Sequence, residues 1–138
     1  MKKCVLVLLL LGLLSCSSKE QIKDLDQLTG YWEIEKAVFP SGAEKIYKSN
    51  TTIDFFHFDE NQGYRKKVQP LLNGQYQTSD DAQKFQLIQL EDERMMLEYT
   101  NGGLNWQEHL IAVDSVQLIL ESEQKITYIY KRYQAISL

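Results

Sequence analysis

The 138-residue chain predicts an all-β protein: an antiparallel meander closed into a small up-and-down barrel of about eight or nine strands, led by a short N-terminal helix. Three observations predict it. After Gly30, apolar and β-branched residues alternate with polar ones in short segments, the two-residue period of half-buried strands. Those segments follow one another through tight turns, with no helical stretch between them. A two-sheet sandwich would share this spacing, but no long Greek-key crossover is visible, and closing the sheet removes both unpaired edges.

Each element follows from local chemistry. Glu20 to Leu28 places Ile22, Leu25 and Leu28 at helical spacing, predicting a short amphipathic helix. Tyr31 to Phe39 puts Trp32, Ile34 and Val38 on one face and Glu33 and Glu35 on the other, and Pro40-Ser41-Gly42 turns the chain. Thr51 to Phe58 is rich in β-branched and aromatic residues and ends in a polar run at 59–63. Shorter strands are expected at Tyr64 to Val68 and Gln75 to Thr78, joined through Pro70 and Asn73-Gly74. Lys84 to Leu90, Met95 to Thr100, Trp106 to Val113, Val116 to Glu121 and Lys125 to Tyr133 complete the set, separated by acidic, Gly-rich or Asp-Ser turns.

The segment before the helix gives an address. Lys2 and Lys3 precede an apolar run from Val5 to Leu14, and Ser15 precedes Cys16, the order of a secretory signal. A run of about 10 apolar residues is short for a bilayer span, which needs about 20. An ordinary cleaved signal would not require the cysteine. Leu13-Leu14-Ser15-Cys16 resembles the lipobox of bacterial lipoproteins, which implies that Cys16 becomes the new N-terminus and carries acyl chains. Two or more chains anchor a protein stably, each buried methylene contributing about 0.8 kcal/mol. The chain is thus divided into a signal peptide at 1–15, a lipidated N-terminus and tether at 16–24, and a barrel domain at 25–138. The expected location is the bacterial cell envelope, on the outer membrane at its periplasmic or surface face.

Of the two cysteines, Cys4 leaves with the signal and Cys16 is lipidated, so the mature domain has no thiol for disulfides, nucleophilic catalysis or zinc. Removing Lys2 and Lys3 from the 15 basic residues leaves 13 against 19 acidic ones, a net charge near −6. That balance argues against nucleic acid or anionic lipid head groups as partners.

Gly30-Tyr31-Trp32 at the first strand, preceded by Leu25 and Leu28, resembles the G-x-W signature of lipocalins and the wider calycin group. Arg132 in the last strand sits where that family places a basic residue across the tryptophan. The chain is similar in organisation, from Leu25 to Tyr133, to small lipocalin-like lipoproteins of Bacteroidota. The resemblance implies that the guanidinium of Arg132 lies over the Trp32 indole, a contact worth about 0.5–2 kcal/mol, and ties the first strand to the last. The chain is shorter than a full lipocalin, lacks a clear T-D-x-x motif and has no flanking helix after Tyr133, so a small lumen is expected.

If Trp32 points inward, so by alternation do Ile34, Lys36 and Val38. Ile126, Tyr128, Tyr130 and Arg132 share one face, as do Trp106, Glu108 and Leu110. The candidate ligand-binding residues are therefore Trp32, Lys36, Phe55, Trp106, Glu108, Tyr128 and Tyr130. Lys36 and Glu108 have the alternative of lying at the rim or pairing as structural filling, because buried charges are uncommon unless paired. His57 and His109 are the only histidines and lie in no metal-spaced pattern, and the serines lack an elbow or triad context. No catalytic constellation, metal site or cofactor is expected. The expected function is binding of a small apolar or amphipathic molecule by a membrane-anchored barrel. The alternative is a barrel filled by its own side chains that serves as an interaction or assembly module for a protein partner, since at about eight strands the interior either just fills or holds one small ligand.

Overall fold

The computed structural model describes residues 24–135. The expected signal peptide, Cys16, most of the expected tether and the start of the predicted helix lie outside these residues. What remains of that helix is a single 3-10 turn, Leu25–Leu28, capped by the Asp24 carboxylate, which accepts from the Asp26 N–H at 3.1 Å. The Trp32 indole N–H ends the turn by donating to the Leu28 carbonyl at 2.9 Å. That bond occupies an acceptor that a continuing helix would need.

Ten strands follow among the described residues: β1 Gly30–Val38, β2 Glu44–Ile46, β3 Ile53–Asp59, β4 Gln62–Pro70, β5 Tyr76–Thr78, β6 Gln83–Gln89, β7 Met95–Asn101, β8 Leu104–Val113, β9 Gln117–Ser122 and β10 Thr127–Arg132. All pairings are antiparallel. Eight strands close a ring in the order β1-β3-β4-β6-β7-β8-β9-β10, and β10 returns to β1 with Trp32 opposite Arg132. The predicted closed meander is thus what forms. β2 and β5 stand off the ring, β2 continuing the edge of β1 beyond β3 and β5 continuing the edge of β4 beyond β6. β2 has no sequence signature because all three of its residues are exposed and none alternates.

Strand boundaries differ from expectation where turns are tighter than their composition suggests. The polar run at 59–63 shrinks to a two-residue connection in which Glu60 and Asn61 both take positive φ, 48° and 64°, the pairing that matches strand twist in hairpins. Gly63 then belongs to β4. A Cβ there would lie 1.9 Å from the His57 carbonyl oxygen, so only glycine lets the two strands approach.

Two bulges shape the wall. The register of β1 slips between Ile34 and Lys36, and that of β8 between Leu110 and Ala112. Each inverts the inward–outward alternation of its strand beyond that point. Hence Leu110 and Val113, three residues apart, are both buried opposite Leu120 and Leu118.

The interior is filled unevenly. At the end where β1 begins and β10 finishes, Leu28 of the N-terminal turn plugs the ring against Trp32, Phe56, Phe85, Leu97, Leu110, Val113 and Leu118. Burial of this set is the main driving force for closure. Phe56, Phe85, Tyr99 and Trp106 form a ladder of ring contacts from this core toward the opposite end, with centroid separations of 6.2, 5.6 and 5.2 Å. Outside the wall, Tyr31 packs on Phe55 at 4.8 Å and stacks on Tyr76 of β5 at 4.1 Å. The β4–β5 hairpin therefore curls across the outer face, in keeping with the burial of Ile53 and Val68, which share that face with Phe55.

Candidate functional site

The closed end is built on Arg132. Its guanidinium carbon lies 3.8 Å from the Trp32 ring centroid. Nη2 donates to the Gln27 carbonyl at 2.6 Å and the Asp114 carbonyl at 3.3 Å, Nη1 to the Thr29 carbonyl at 3.1 Å, and Nε to the Ser115 carbonyl at 3.1 Å. One side chain thus joins β10, the N-terminal turn and the β8–β9 turn. Gly30 is required beneath it: its φ is +146°, and a Cβ would fall 2.2 Å from Arg132 Nη1. This gives the first and last positions of the G-x-W motif a physical reason, since the glycine clears the guanidinium and the tryptophan supports it.

Halfway up the barrel the filling changes character. Arg65, inward on β4, crosses the lumen to Glu108 on β8, with Nη1 to Oε1 at 3.0 Å. Its Nε and Nη2 also donate to both oxygens of Asp54 on β3, at 3.2 Å each, and Nη2 donates to the Tyr130 hydroxyl at 2.8 Å. Lys67, one step nearer the mouth, reaches Asp54 at 2.8 Å. Side-chain exposure is 13% for Arg65, 3% for Asp54 and 9% for Glu108, so these charges are held largely away from water. Burial alone would raise the Asp54 pKa, but Arg65 and Lys67 outweigh it and hold the carboxyl below its ordinary value. Burial would likewise lower that of Arg65, but Tyr130, Asp54, Tyr99 and Glu108 outweigh it and keep the guanidinium charged. Burial lifts the Tyr99 and Tyr130 hydroxyls well above the usual phenol range. The Tyr99 hydroxyl meets no partner at hydrogen-bonding geometry, although Arg65 and Glu108 are both close enough to act on it.

Above this layer the barrel is open. A cavity of about 600 Å³ is lined by Ile34, Thr52, Trp106, Tyr128 and Tyr130, with Asp54, Arg65 and Glu108 as its floor. Tyr47 and Asn50, in the β2–β3 connection, and Glu123 and Gln124, in the β9–β10 connection, border the mouth. Asn50 is pinned there, its amide donating to the Ile34 carbonyl at 3.0 Å and to Glu33 at 3.2 Å. Trp106 presents one face to Tyr99, in a near-parallel stack at 5.2 Å and 6°, which leaves its other side for the cavity.

Of the candidate ligand-binding residues, Trp106, Glu108, Tyr128 and Tyr130 converge on this cavity. Three do not. Trp32 is fully buried in the closed end, between Arg132 and the charged layer. Lys36 is on the outer wall, because the bulge after Ile34 inverts the alternation, and its ammonium pairs with Glu44 at 3.0 Å. Phe55 is also outside, packed against Tyr31; its neighbour Phe56 takes the inward position. Neither alternative proposed for Glu108 with Lys36 holds, since Glu108 pairs with Arg65. Sequence reasoning missed Asp54, Arg65 and Tyr99. Alternation contained the signal for the first two: Asp54 shares parity with Phe56 and Phe58, and Arg65 lies opposite Phe56.

The histidines are apart. His57 lies on the outer wall of β3 beside Tyr64, and His109 on the outer wall of β8, 3.4 Å from Glu121. A second hollow of about 540 Å³ lies outside β4 and β6, lined by His57, Tyr64, Lys84, Gln86 and Glu98 among others. Among the described residues, no group of three or more His, Cys, Asp or Glu side chains could hold a metal ion.

No family model and no curated protein matches the chain by sequence. Solved structures do match by shape. Apocrustacyanin C1 aligns with a TM-score of 0.50 at 13% identity, over 86% of this chain and 67% of that one. A lipocalin-like protein from Bacteroides uniformis aligns with a TM-score of 0.47 at 12% identity, over 78% of this chain and 99% of that one. A protein from Bacteroides eggerthii aligns with a TM-score of 0.46 at 12% identity, over 77% and 99%. With its eight-strand ring, plugged end and tryptophan–arginine clasp, the chain has the lipocalin-like barrel fold.

Proposed function

We propose that this protein is a lipid-anchored component of the bacterial cell envelope that binds a small amphipathic molecule in the open half of its barrel. The observation that carries the binding reading is the cavity of about 600 Å³ above the Arg65 layer. Its size falls within the range of about 300–1,000 Å³ typical of small-molecule sites, and it combines aromatic walls with a few fixed polar groups. A barrel packed solid for assembly alone would leave no such space, so the cavity favours a ligand over the filled-barrel alternative.

The anchor rests on the lipobox at Cys16. Eight Cα–Cα steps lead from Cys16 to Asp24, which caps the turn plugging the closed end. Fully extended they span about 28 Å at most, so the anchor would hold the plugged end toward the bilayer and present the mouth to the aqueous side. Two measurements test the proposal separately. Metabolic labelling with radioactive palmitate should mark the wild-type protein and not Cys16→Ala, which should also leave the membrane fraction; equal labelling would refute the anchor. Native mass spectrometry of protein extracted from its own cells should show a small-molecule adduct. A bare mass, with no small molecule from a cell extract bound on re-exposure, would refute the ligand.

A further inference from the structure

The charged layer sets what kind of molecule the lumen accepts. Four residues of β8, Leu104 to Gln107, separate Glu108 from the start of the strand. That is about 13 Å along the strand, and with strands tilted by about 40° the cup above the floor is about 10 Å deep. An extended long-chain acyl group exceeds that depth, and the lower barrel that would receive its end is filled by the Trp32–Phe56–Leu118 core. A hydrocarbon tail lowered into the cup would also rest on Arg65, Asp54 and Glu108, removing their remaining water without replacing its hydrogen bonds. Uncompensated desolvation of such groups is costly.

The lining suits a different chemistry. The two acids of the floor, Asp54 and Glu108, balance Arg65 and Lys67, and Glu123 adds a negative group at the mouth. The cup therefore offers no excess positive charge to a fatty-acid carboxylate. It offers hydrogen-bonding groups at fixed positions. The Tyr130 hydroxyl accepts from Arg65 and keeps its own proton to donate, and Lys67 is mostly exposed with one ion pair. Above them Trp106 is backed by Tyr99, a flat surface already held in place.

Building on the lumen-binding reading above, we infer that the ligand is a compact, uncharged, hydroxyl-rich ring compound of the saccharide class. An apolar ring face rests on Trp106, and the hydroxyls meet the Arg65–Glu108–Tyr130 floor. A site built to hydrogen-bond hydroxyls discriminates strongly against analogues lacking them, because its own buried polar groups would be left unpaired. Acyl amphiphiles are accordingly excluded.

The test uses the full chain in phosphatidylcholine nanodiscs, titrated by tryptophan fluorescence and calorimetry. The probes are a panel of neutral and N-acetylated mono-, di- and trisaccharides, palmitate, and the apolar dye N-phenyl-1-naphthylamine, with empty nanodiscs as the blank. At least one saccharide should bind saturably, at least tenfold more weakly to Trp106→Leu and several-fold more weakly to Lys67→Met, each variant first shown to be folded by circular dichroism. Phe55→Leu, on the outer wall, should bind as the wild type does. Palmitate should give no saturable signal above the blank. Saturable binding of palmitate or the dye with no saccharide bound overturns this inference and leaves the lumen reading standing. Failure of every probe overturns both. A saccharide affinity unchanged in both Trp106→Leu and Lys67→Met places binding elsewhere and also overturns it.

Discussion

Replacing Arg132 isolates what holds the first strand to the last. In Arg132→Met the alkyl stem remains over Trp32, but the guanidinium is lost, and with it the stack at 3.8 Å and the bonds to the carbonyls of Gln27, Thr29, Asp114 and Ser115. The stack contributes about 0.5–2 kcal/mol, and a hydrogen bond from a charged donor about 1.5–3 kcal/mol. The four bonds share three nitrogens and some of the freed carbonyls can reach water, so they do not add in full. We expect Arg132→Met to destabilise by about 3 kcal/mol, and Arg132→Lys, which keeps the charge without the planar fork, by about 2 kcal/mol. Urea unfolding followed by circular dichroism gives the change directly, with the m-value checking that the unfolded state is comparable. A double-mutant cycle with Trp32→Leu should return a coupling of about 1–2 kcal/mol. A loss below about 1 kcal/mol, with coupling within about 0.3 kcal/mol of zero, would mean that the β1–β10 ladder closes the ring unaided and that the clasp is incidental.

Two further outcomes follow from buried geometry. Gly30→Ala should cost about 2 kcal/mol or more, because its Cβ meets Arg132 Nη1 in a backbone region unfavourable to alanine; the same change made in Arg132→Met should cost clearly less in urea, and equal costs would sink the steric argument. Alkaline titration followed by phenolate absorbance should leave Tyr99 and Tyr130 protonated after exposed tyrosines ionise, because burial raises both. The unfolded chain ionises them near pH 10 and the folded chain does not, so their stabilisation is complete below pH 10. Above it, the unfolded state binds fewer protons and stability falls by up to about 1.4 kcal/mol per pH unit for each group. All tyrosines of the native protein ionising together near pH 10, reversibly, would contradict their burial.

The parts of this molecule legible in sequence are those determined by local rules. Alternation located nine of the ten strands, and Gly30, Trp32 and Arg132 stand together where their order along the chain suggested. The rest depends on contacts that local rules do not carry. A two-residue period carries the inward–outward assignment only until a bulge, and nothing in Ile34-Glu35-Lys36 announces that the register slips there. Lys36 was carried to the wrong face on that account. Phe55-Phe56 posed the related problem of two adjacent aromatics competing for one inward position, resolved only by the burial of Phe56 against Phe85. Arg65 was hidden for another reason. Within Tyr64-Arg65-Lys66-Lys67-Val68 it reads as one of three solvated cations, and what makes it structural is a carboxylate 43 positions away across the lumen.

That carboxylate also explains why the barrel stops filling where it does. An eight-strand ring is near the size at which its own side chains can occupy the interior completely, and the lower half of this one does so. Stability gives no reason to change material halfway: a well-packed apolar layer at the height of Arg65 would be as stable or more so, since buried ion pairs rarely repay their desolvation. The Arg65 bonds to Asp54, Glu108 and Tyr130 hold its side chain extended across the lumen, where it cannot fold upward into the space above. Tyr128 and the side of Trp106 turned away from Tyr99 are thereby left facing open space. A layer that spends stability to keep a space open, and floors that space with hydrogen-bonding groups, is better accounted for by what enters the barrel than by what holds it together.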